Sequence, residues 1–153
     1  MNLPDLPPSV PVAPPAAPPR IGGLRLSLLA GGAYDAVAGI GPLLDLDRAA
    51  DLLGVGEVHD AYALRFCGLL VVCLGLFHLV AALEARRTLR PAAAAILIRF
   101  VGGAYVTGYT LFGGGVPKIF LAFGCADLLF GVVHYGFLRR SAQRGLLGAL
   151  LRG

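Results

Sequence analysis

The chain has 153 residues, of which 57% are hydrophobic and 14% are charged, and its formal net charge is +4. Soluble domains average roughly 45–50% apolar and about 25% charged residues. So few charges cannot cover this much apolar surface in water, which predicts a protein that has lipid as its solvent. The basic residues flank apolar runs and form no patch with interleaved polar and aromatic residues, so the charge does not indicate a nucleic-acid partner.

The N-terminal segment, residues 1–20, contains eight of the eleven prolines. Proline has no backbone N–H, so pairs such as Pro7-Pro8 and Pro14-Pro15 favour extended, solvated chain. A secretory signal starts with basic residues and continues directly into an apolar stretch. The first basic residue here is Arg20. We therefore expect a disordered cytoplasmic tail, with a docking strand for a partner as the alternative.

Four apolar segments follow, at about 21–44, 62–85, 92–114 and 119–138. Each has the roughly 20 residues that a helix needs to cross a hydrocarbon core of about 30 Å. Residues 21–140 are therefore predicted to be all-α, as an integral membrane four-helix bundle. Leu and Ala recur at helical spacing in residues 47–55, which predicts a short interfacial helix. Residues 141–153 are predicted to be a basic amphipathic tail on the anionic inner leaflet.

The distribution of basic residues predicts the orientation of the bundle. Nine Lys and Arg residues lie at one side of the four segments and three at the other. The larger group is Arg20, Arg25, Arg86, Arg87, Arg90, Arg139, Arg140, Arg144 and Arg152; the smaller is Arg48, Arg65 and Lys118. Loops rich in Lys and Arg stay in the cytoplasm. We expect a multi-pass protein of the bacterial inner (cytoplasmic) membrane with both termini inside.

The chain contains an internal similarity. The first and third segments share Gly-Gly-Ala-Tyr, at 31–34 and 102–105. The second and fourth share the spacing G-x6-G-x2-H, each followed by an Arg-Arg pair. This order predicts two parallel helical hairpins. Small residues let helix backbones approach closely, so helix packing is predicted for Gly31, Gly32, Gly68, Gly75, Gly102, Gly103, Gly124 and Gly131.

Three charged residues, Asp35, Arg99 and Asp127, interrupt the apolar runs. At about 1.5 Å per residue, each lies roughly 13–15 Å from its segment boundary, near the middle of a bilayer. An unpaired charge there costs at least about 2.5–3.5 kcal/mol, so the three are expected to face inward and pair. Tyr34, Tyr105 and Tyr109 are candidate hydrogen-bond partners. The cluster is interpreted as a structural ion pair, with a proton or substrate site as the alternative.

His78 and His134 end the two G-x6-G-x2-H patterns. In an up-down bundle their helices are diagonal partners, so two facing imidazoles could ligate haem b or hold a quinone. The other interpretation is a hydrogen bond to a neighbouring helix. Cys67, Cys73 and Cys125 match no zinc or redox spacing and are expected to be small buried thiols.

Three short stretches, 31–35, 75–83 and 127–131, resemble the small four-helix bacterial inner-membrane proteins grouped as DoxX-like. They read Gly-Gly-Ala-Tyr-Asp, Gly-Leu-Phe-His-Leu-Val-Ala-Ala-Leu and Asp-Leu-Leu-Phe-Gly. The resemblance covers about residues 21–140. It implies a four-helix bundle that is an accessory partner of quinone-linked, energy-transducing oxidoreductases.

The sequence contains no nucleophile elbow, phosphate loop, HExxH or paired-cysteine motif. The favoured hypothesis is therefore a non-catalytic membrane subunit or scaffold, without a cofactor or metal, that associates with itself or with a larger membrane complex. The first alternative is a redox carrier with haem or quinone at His78 and His134. A small proton-coupled transporter that uses Asp35 and Asp127 is the second.

Overall fold

The computed structural model describes residues 21–55, 61–113, 115–142 and 145–152. Within these ranges all regular structure is helical: α1 (Gly22–Leu44), α2 (Leu46–Leu53), α3 (Ala61–Glu84), α4 (Arg90–Phe112), α5 (Ile119–Ala142) and α6 (Leu146–Arg152). Four helices, α1, α3, α4 and α5, are long and apolar enough to cross a membrane. The predicted all-α membrane bundle is confirmed, and the chain has the build of a multi-pass membrane protein. The proline-rich tail predicted for residues 1–20 lies outside the described residues.

The observed helix ends differ from the predicted ones where local chemistry allows a longer helix. α4 begins two residues early because Pro91 occupies its first turn, where the missing N–H costs no hydrogen bond. α5 runs on to Ala142 with Arg139 and Arg140 in its last turn, where positive charge is favourable. The short helix predicted at 47–55 is α2, which is followed by its C-cap Gly54 in the left-handed region, with φ 62°.

The four long helices form a ring in the order α1, α3, α4, α5, with α1 packed mainly on α3 and α4 mainly on α5. Glycines bring each pair together. A Cβ on Gly32 would lie 2.9 Å from the carbonyl oxygen of Gly75, and one on Gly103 would lie 2.9 Å from that of Gly124. Backbones this close exclude any side chain between them. The two hairpins are therefore held by direct backbone packing.

Other predicted packing glycines have different surroundings. Gly131 lies against the Phe100 ring, whereas a Cβ on Gly102 would meet nothing within 4 Å. The packing role predicted for Gly102 inside the bundle is therefore wrong, because its neighbour Gly103 is the one that faces α5. The hairpins also differ in register: Gly103 faces Gly124, whereas the shared pattern would place it opposite Gly131. The internal repeat stays a prediction.

Most of the buried apolar core lies in one half of the bundle. α1 and α4 begin at this end of the bundle, and α3 and α5 end there. We call it the arginine end, and we call the opposite end the α2 end. The core comprises Leu24, Leu28, Ala81, Ala82, Ala85, Ala92, Ala93, Ala95, Ile96, Leu138 and Ala149. α6 lies in the stretch 141–153, which is predicted to rest on the inner leaflet. It packs on α4 and α5 through Ala149, while Leu147 and Leu151 remain exposed.

Two glycines of α1 provide a matched test of the backbone packing. A Cβ on Gly39 would lie 2.5 Å from the Gly68 carbonyl oxygen and 2.7 Å from the Val72 nitrogen, whereas one on Gly41 would meet nothing within 4 Å. Gly39→Ala must push α1 from α3, and overpacking of this kind costs about 1–3 kcal/mol. We expect Gly39→Ala to lower the thermal unfolding temperature in mild detergent and Gly41→Ala to leave it unchanged. Equal stability of the two variants would contradict the close α1–α3 packing.

Candidate functional site

The guanidinium of Arg99 lies at the centre of the bundle and donates four hydrogen bonds to protein groups. Arg99 is 1% exposed. Nη2 donates to the Gly31 carbonyl oxygen (2.9 Å) and to Asp35 Oδ2 (2.7 Å), Nη1 donates to Asp127 Oδ1, and Nε donates to His78 Nε2 (3.2 Å). One side chain of α4 thereby bonds α1, α3 and α5. A fixed fork of five donors allows this, which a lysine ammonium could not reproduce.

The two carboxylates around Arg99 have different surroundings. The side chain of Asp35 is 2% exposed, whereas that of Asp127 is 22% exposed. Asp35 is therefore enclosed by the bundle, and Asp127 keeps part of its side chain accessible. The structure brings together all three charged residues that the sequence singled out, with both acids on the same arginine.

His78 completes this arrangement as a neutral hydrogen-bond bridge. Its Nε2 accepts the Nε–H of Arg99, so that nitrogen carries no proton, and Nδ1 then donates to the Leu74 carbonyl oxygen at 2.9 Å. Asp35 Oδ2 lies 3.4 Å from the same Nδ1. We call Asp35, His78, Arg99 and Asp127 the charge cluster. With both acids ionised and His78 neutral, its formal charge is −1.

His134 lies beside the charge cluster but is not bonded to it. Its ring centroid is 5.8 Å from that of His78, and its residue is 0% exposed. Among the described residues neither ring nitrogen has a hydrogen-bond partner. Gly31 makes room for this imidazole, because a Cβ there would lie 2.8 Å from His134 Nε2.

The geometry of the two imidazoles does not fit a haem iron ligated by both. The His78 Nε2 lone pair is taken by Arg99, and its Nδ1 proton by Leu74. The guanidinium also occupies the centre of the bundle beside both rings. Among the described residues there is also no group of three or more His, Cys, Asp or Glu that could hold a metal ion.

Aromatic rings flank the guanidinium. The Arg99 Cζ lies 5.7 Å from the centroid of Tyr34 and 5.4 Å from that of Phe130, within the range of cation–π attraction. Tyr105 and Tyr109, predicted as partners of the cluster, are 68% and 53% exposed and stack on each other away from it. That expectation is wrong because a depth estimate fixes height along the helix and not the face of the helix.

An open cavity of ≈ 210 Å³ occupies the α2 half of the bundle and reaches the charge cluster. Asp35 and Asp127 line it together with Tyr34. The other lining residues are Ala38, Pro42, Leu53, Leu64, Cys67, Gly68, Val71, Leu74, Val106, Phe120 and Phe123. We call this space the central cavity. Its walls are therefore apolar and aromatic, with polar groups concentrated where it meets the cluster.

The three cysteines are all exposed and unpaired, which corrects their expected burial. They lie on outward or cavity-facing positions of helices whose surroundings in the membrane are apolar, so a hydrophobic run does not distinguish a core position from a lipid-facing one. Cys67 lines the central cavity, whereas Cys125 is absent from its lining. Each lies six residues from the start of its helix at the α2 end.

No protein-family model, curated protein or solved structure matches this chain. The resemblance to DoxX-like proteins therefore stays a prediction. Sequence reasoning found Asp35, Arg99 and Asp127 from charge in apolar surroundings. It did not find the Gly31 carbonyl or the Phe130 ring as contacts of Arg99, since a backbone acceptor and a phenylalanine in an apolar helix give no distinguishing signal.

The charge cluster predicts a definite order of stability among variants. Arg99→Leu should lower the free energy of unfolding more than Asp35→Asn or Asp127→Asn, because two buried carboxylates lose their common partner. Asp35→Asn with Asp127→Asn should be worst, since arginine cannot shed its proton. Breaking a buried ion pair by removing one partner costs about 3–5 kcal/mol.

Thermal and denaturant unfolding in mild detergent measures this order. Arg87→Leu is the matched control, because the Arg87 side chain is 83% exposed and its nearest acid, Glu84, is 3.8 Å away. An Arg99→Leu variant as stable as Arg87→Leu would show that the central ion pairs contribute nothing to folding.

Proposed function

We propose that this chain is a non-catalytic membrane subunit that binds a small molecule in the central cavity, on the α2 side of the charge cluster. The observation that carries the proposal is the open cavity that ends on Tyr34, Asp35 and Asp127. Ligand sites are typically apolar clefts with a few convergent polar groups. A cluster that served only to fix helix register would be better covered by packed side chains.

The distribution of packing supports a binding role. The buried apolar core lies at the arginine end, where all four long helices and α6 meet. Towards the α2 end the contacts between the hairpins give way to the cavity. The contact between α3 and α4 and that between α1 and α5 are less extensive than the contacts inside each hairpin. The hairpins can therefore adjust to an occupant without breaking their own backbone packing.

We further propose that the protein associates with itself or with a larger, energy-transducing membrane complex. The glycines between α1 and α3 and between α4 and α5 are occupied within the chain. An exposed face of α4 is left for such contacts. Positions where a Cβ would meet nothing within 4 Å, Gly102 and Gly108, lie there beside exposed Tyr105 and Tyr109. Small residues of this kind favour close helix association in lipid.

A second candidate function, a small proton-coupled transporter, is favoured by the same two acids. The central cavity gives Asp127 partial access from the α2 half, while the core closes the arginine end. Transport would require the arginine end to open in turn. The apolar packing of Leu24, Leu28 and Ile96, all 0% exposed, opposes that opening, so binding without transport is the simpler proposal.

The accessibility of two cysteines tests the cavity. In single-cysteine variants, a membrane-impermeant maleimide should modify Cys67 from the outer face at least ten-fold faster than Cys125. The reagent reacts with the thiolate, which needs water to form. Both residues are at the same helical depth, so a difference reports the cavity and not the distance from the surface. Equal rates at the two positions would contradict a hydrated cavity beside α3 and remove the basis for binding there.

The proposed location is the bacterial inner membrane, with both termini in the cytoplasm. A reporter fused after Arg152 should be active only in its cytoplasmic form, and one inserted next to Val55 only in its periplasmic form. The excess of Lys and Arg at the arginine end is the physical basis. The reverse pattern would overturn the orientation and move the cavity to the cytoplasmic face.

A further inference from the structure

The central cavity meets the charge cluster at two carboxyl groups and a single guanidinium. Asp35 and Asp127 share one guanidinium. His78 adds no charge, because its Nε2 accepts a hydrogen bond from Arg99. With both acids ionised, two carboxylates and one cation leave one negative charge uncompensated. In surroundings of low dielectric constant such a charge attracts a counter-ion far more strongly than it would in water.

The uncompensated charge is directed to the cavity through Asp127. Asp35 is enclosed, with its Oδ2 on Arg99 and only 2% of its side chain exposed. The Asp127 side chain bonds Arg99 through Oδ1 and keeps 22% of its surface accessible. Of the two acids in the cavity lining, Asp127 is therefore the one that an occupant can approach.

Aromatic rings line the cavity near this carboxylate. Tyr34 and Phe123 have ring centroids 6.5 Å apart, and Phe120 and Phe123 have centroids 6.2 Å apart. All three line the cavity. The face of an aromatic ring attracts cations, and aromatic cages are a recurrent means of holding quaternary ammonium groups. The remaining walls, such as Val71 and Leu74, are apolar and suit hydrocarbon.

We propose that the central cavity binds a small organic monocation, an amine or quaternary ammonium with an apolar body, with its charge beside Asp127 and its body among Tyr34, Phe120 and Phe123. The inference rests on the proposed binding function and names its ligand class. The cavity of ≈ 210 Å³ is below the about 300–1,000 Å³ of sites for drug-sized ligands, so the ligand is small. One positive charge neutralises the cluster, and the apolar walls hold the rest.

Direct binding to the full-length protein in nanodiscs of neutral lipid tests the ligand class. The probes are benzyltrimethylammonium, its uncharged isostere neopentylbenzene, and benzenesulfonate as the anion. We expect the cation to bind at least ten-fold more tightly than either of the others. Equal binding of the three would leave the cavity as an apolar site and overturn the cation proposal, while the proposed binding function would stand.

Two variants and a matched control locate the site. Asp127→Asn leaves Asp35 and Arg99 paired one to one, so the Arg99 charge stays compensated, and cation binding should fall at least ten-fold. Phe123→Leu should weaken it several-fold. Asp51 is exposed and outside the cavity lining, so Asp51→Asn removes the same charge from the α2 end and should change nothing. Equal loss in Asp51→Asn and Asp127→Asn would show that only the general charge of this end attracts the cation.

Modification of Cys67 provides a readout that does not depend on a chosen ligand. A trimethylammonium methanethiosulfonate should react with Cys67 faster than its sulfonate counterpart, after correction for their rates with free thiol, and Asp127→Asn should abolish the preference. A preference unaffected by Asp127→Asn would overturn the assignment of the charge to Asp127. Absence of any reaction at Cys67 would instead contradict the cavity, and with it the proposed function.

Discussion

An arginine side chain in the middle of an apolar bundle constrains everything packed around it. Arg99 cannot reach water, and each of its N–H groups left unbonded would cost free energy that no lipid contact returns. Four of the five N–H groups are bonded, to a backbone carbonyl from α1, carboxylates from α1 and α5, and an imidazole from α3. Four helices are thereby fixed in relative position by one side chain, at a depth where hydrophobic packing is not selective.

The glycines are the second half of the same arrangement. The Gly31 carbonyl can reach Arg99 because residue 31 has no side chain to collide with His134. Gly32 and Gly75 bring α1 against α3, and Gly103 and Gly124 bring α4 against α5. Close backbone approach within each hairpin leaves less contact between the hairpins. The space between them is filled by apolar side chains at the arginine end and left open as the central cavity at the α2 end.

The proposed function follows from the unequal numbers of acidic and basic groups in the charge cluster. One guanidinium serves two carboxylates, and only one of the two, Asp127, retains access to the cavity. If the cluster existed solely to hold the helices, a single acid would balance Arg99 at a lower desolvation cost. In the proposed function, the second acid, set beside aromatic walls, gives the cavity a preference for cations.

The sequence by itself determined the number of membrane helices and, within a few residues, their ends, because length and hydrophobicity are local properties read along the chain. It also placed Asp35, Arg99 and Asp127 at one depth, since a helix has a constant rise per residue. Only the tertiary structure decided which faces meet. Tyr105 and Gly102 point outward, and Gly103 and Tyr34 inward, although all four belong to the same repeated motif. In lipid both the inside and the outside of a bundle are apolar, so hydrophobic periodicity does not mark the buried face, and backbone contacts and hydrogen bonds between helices decide it.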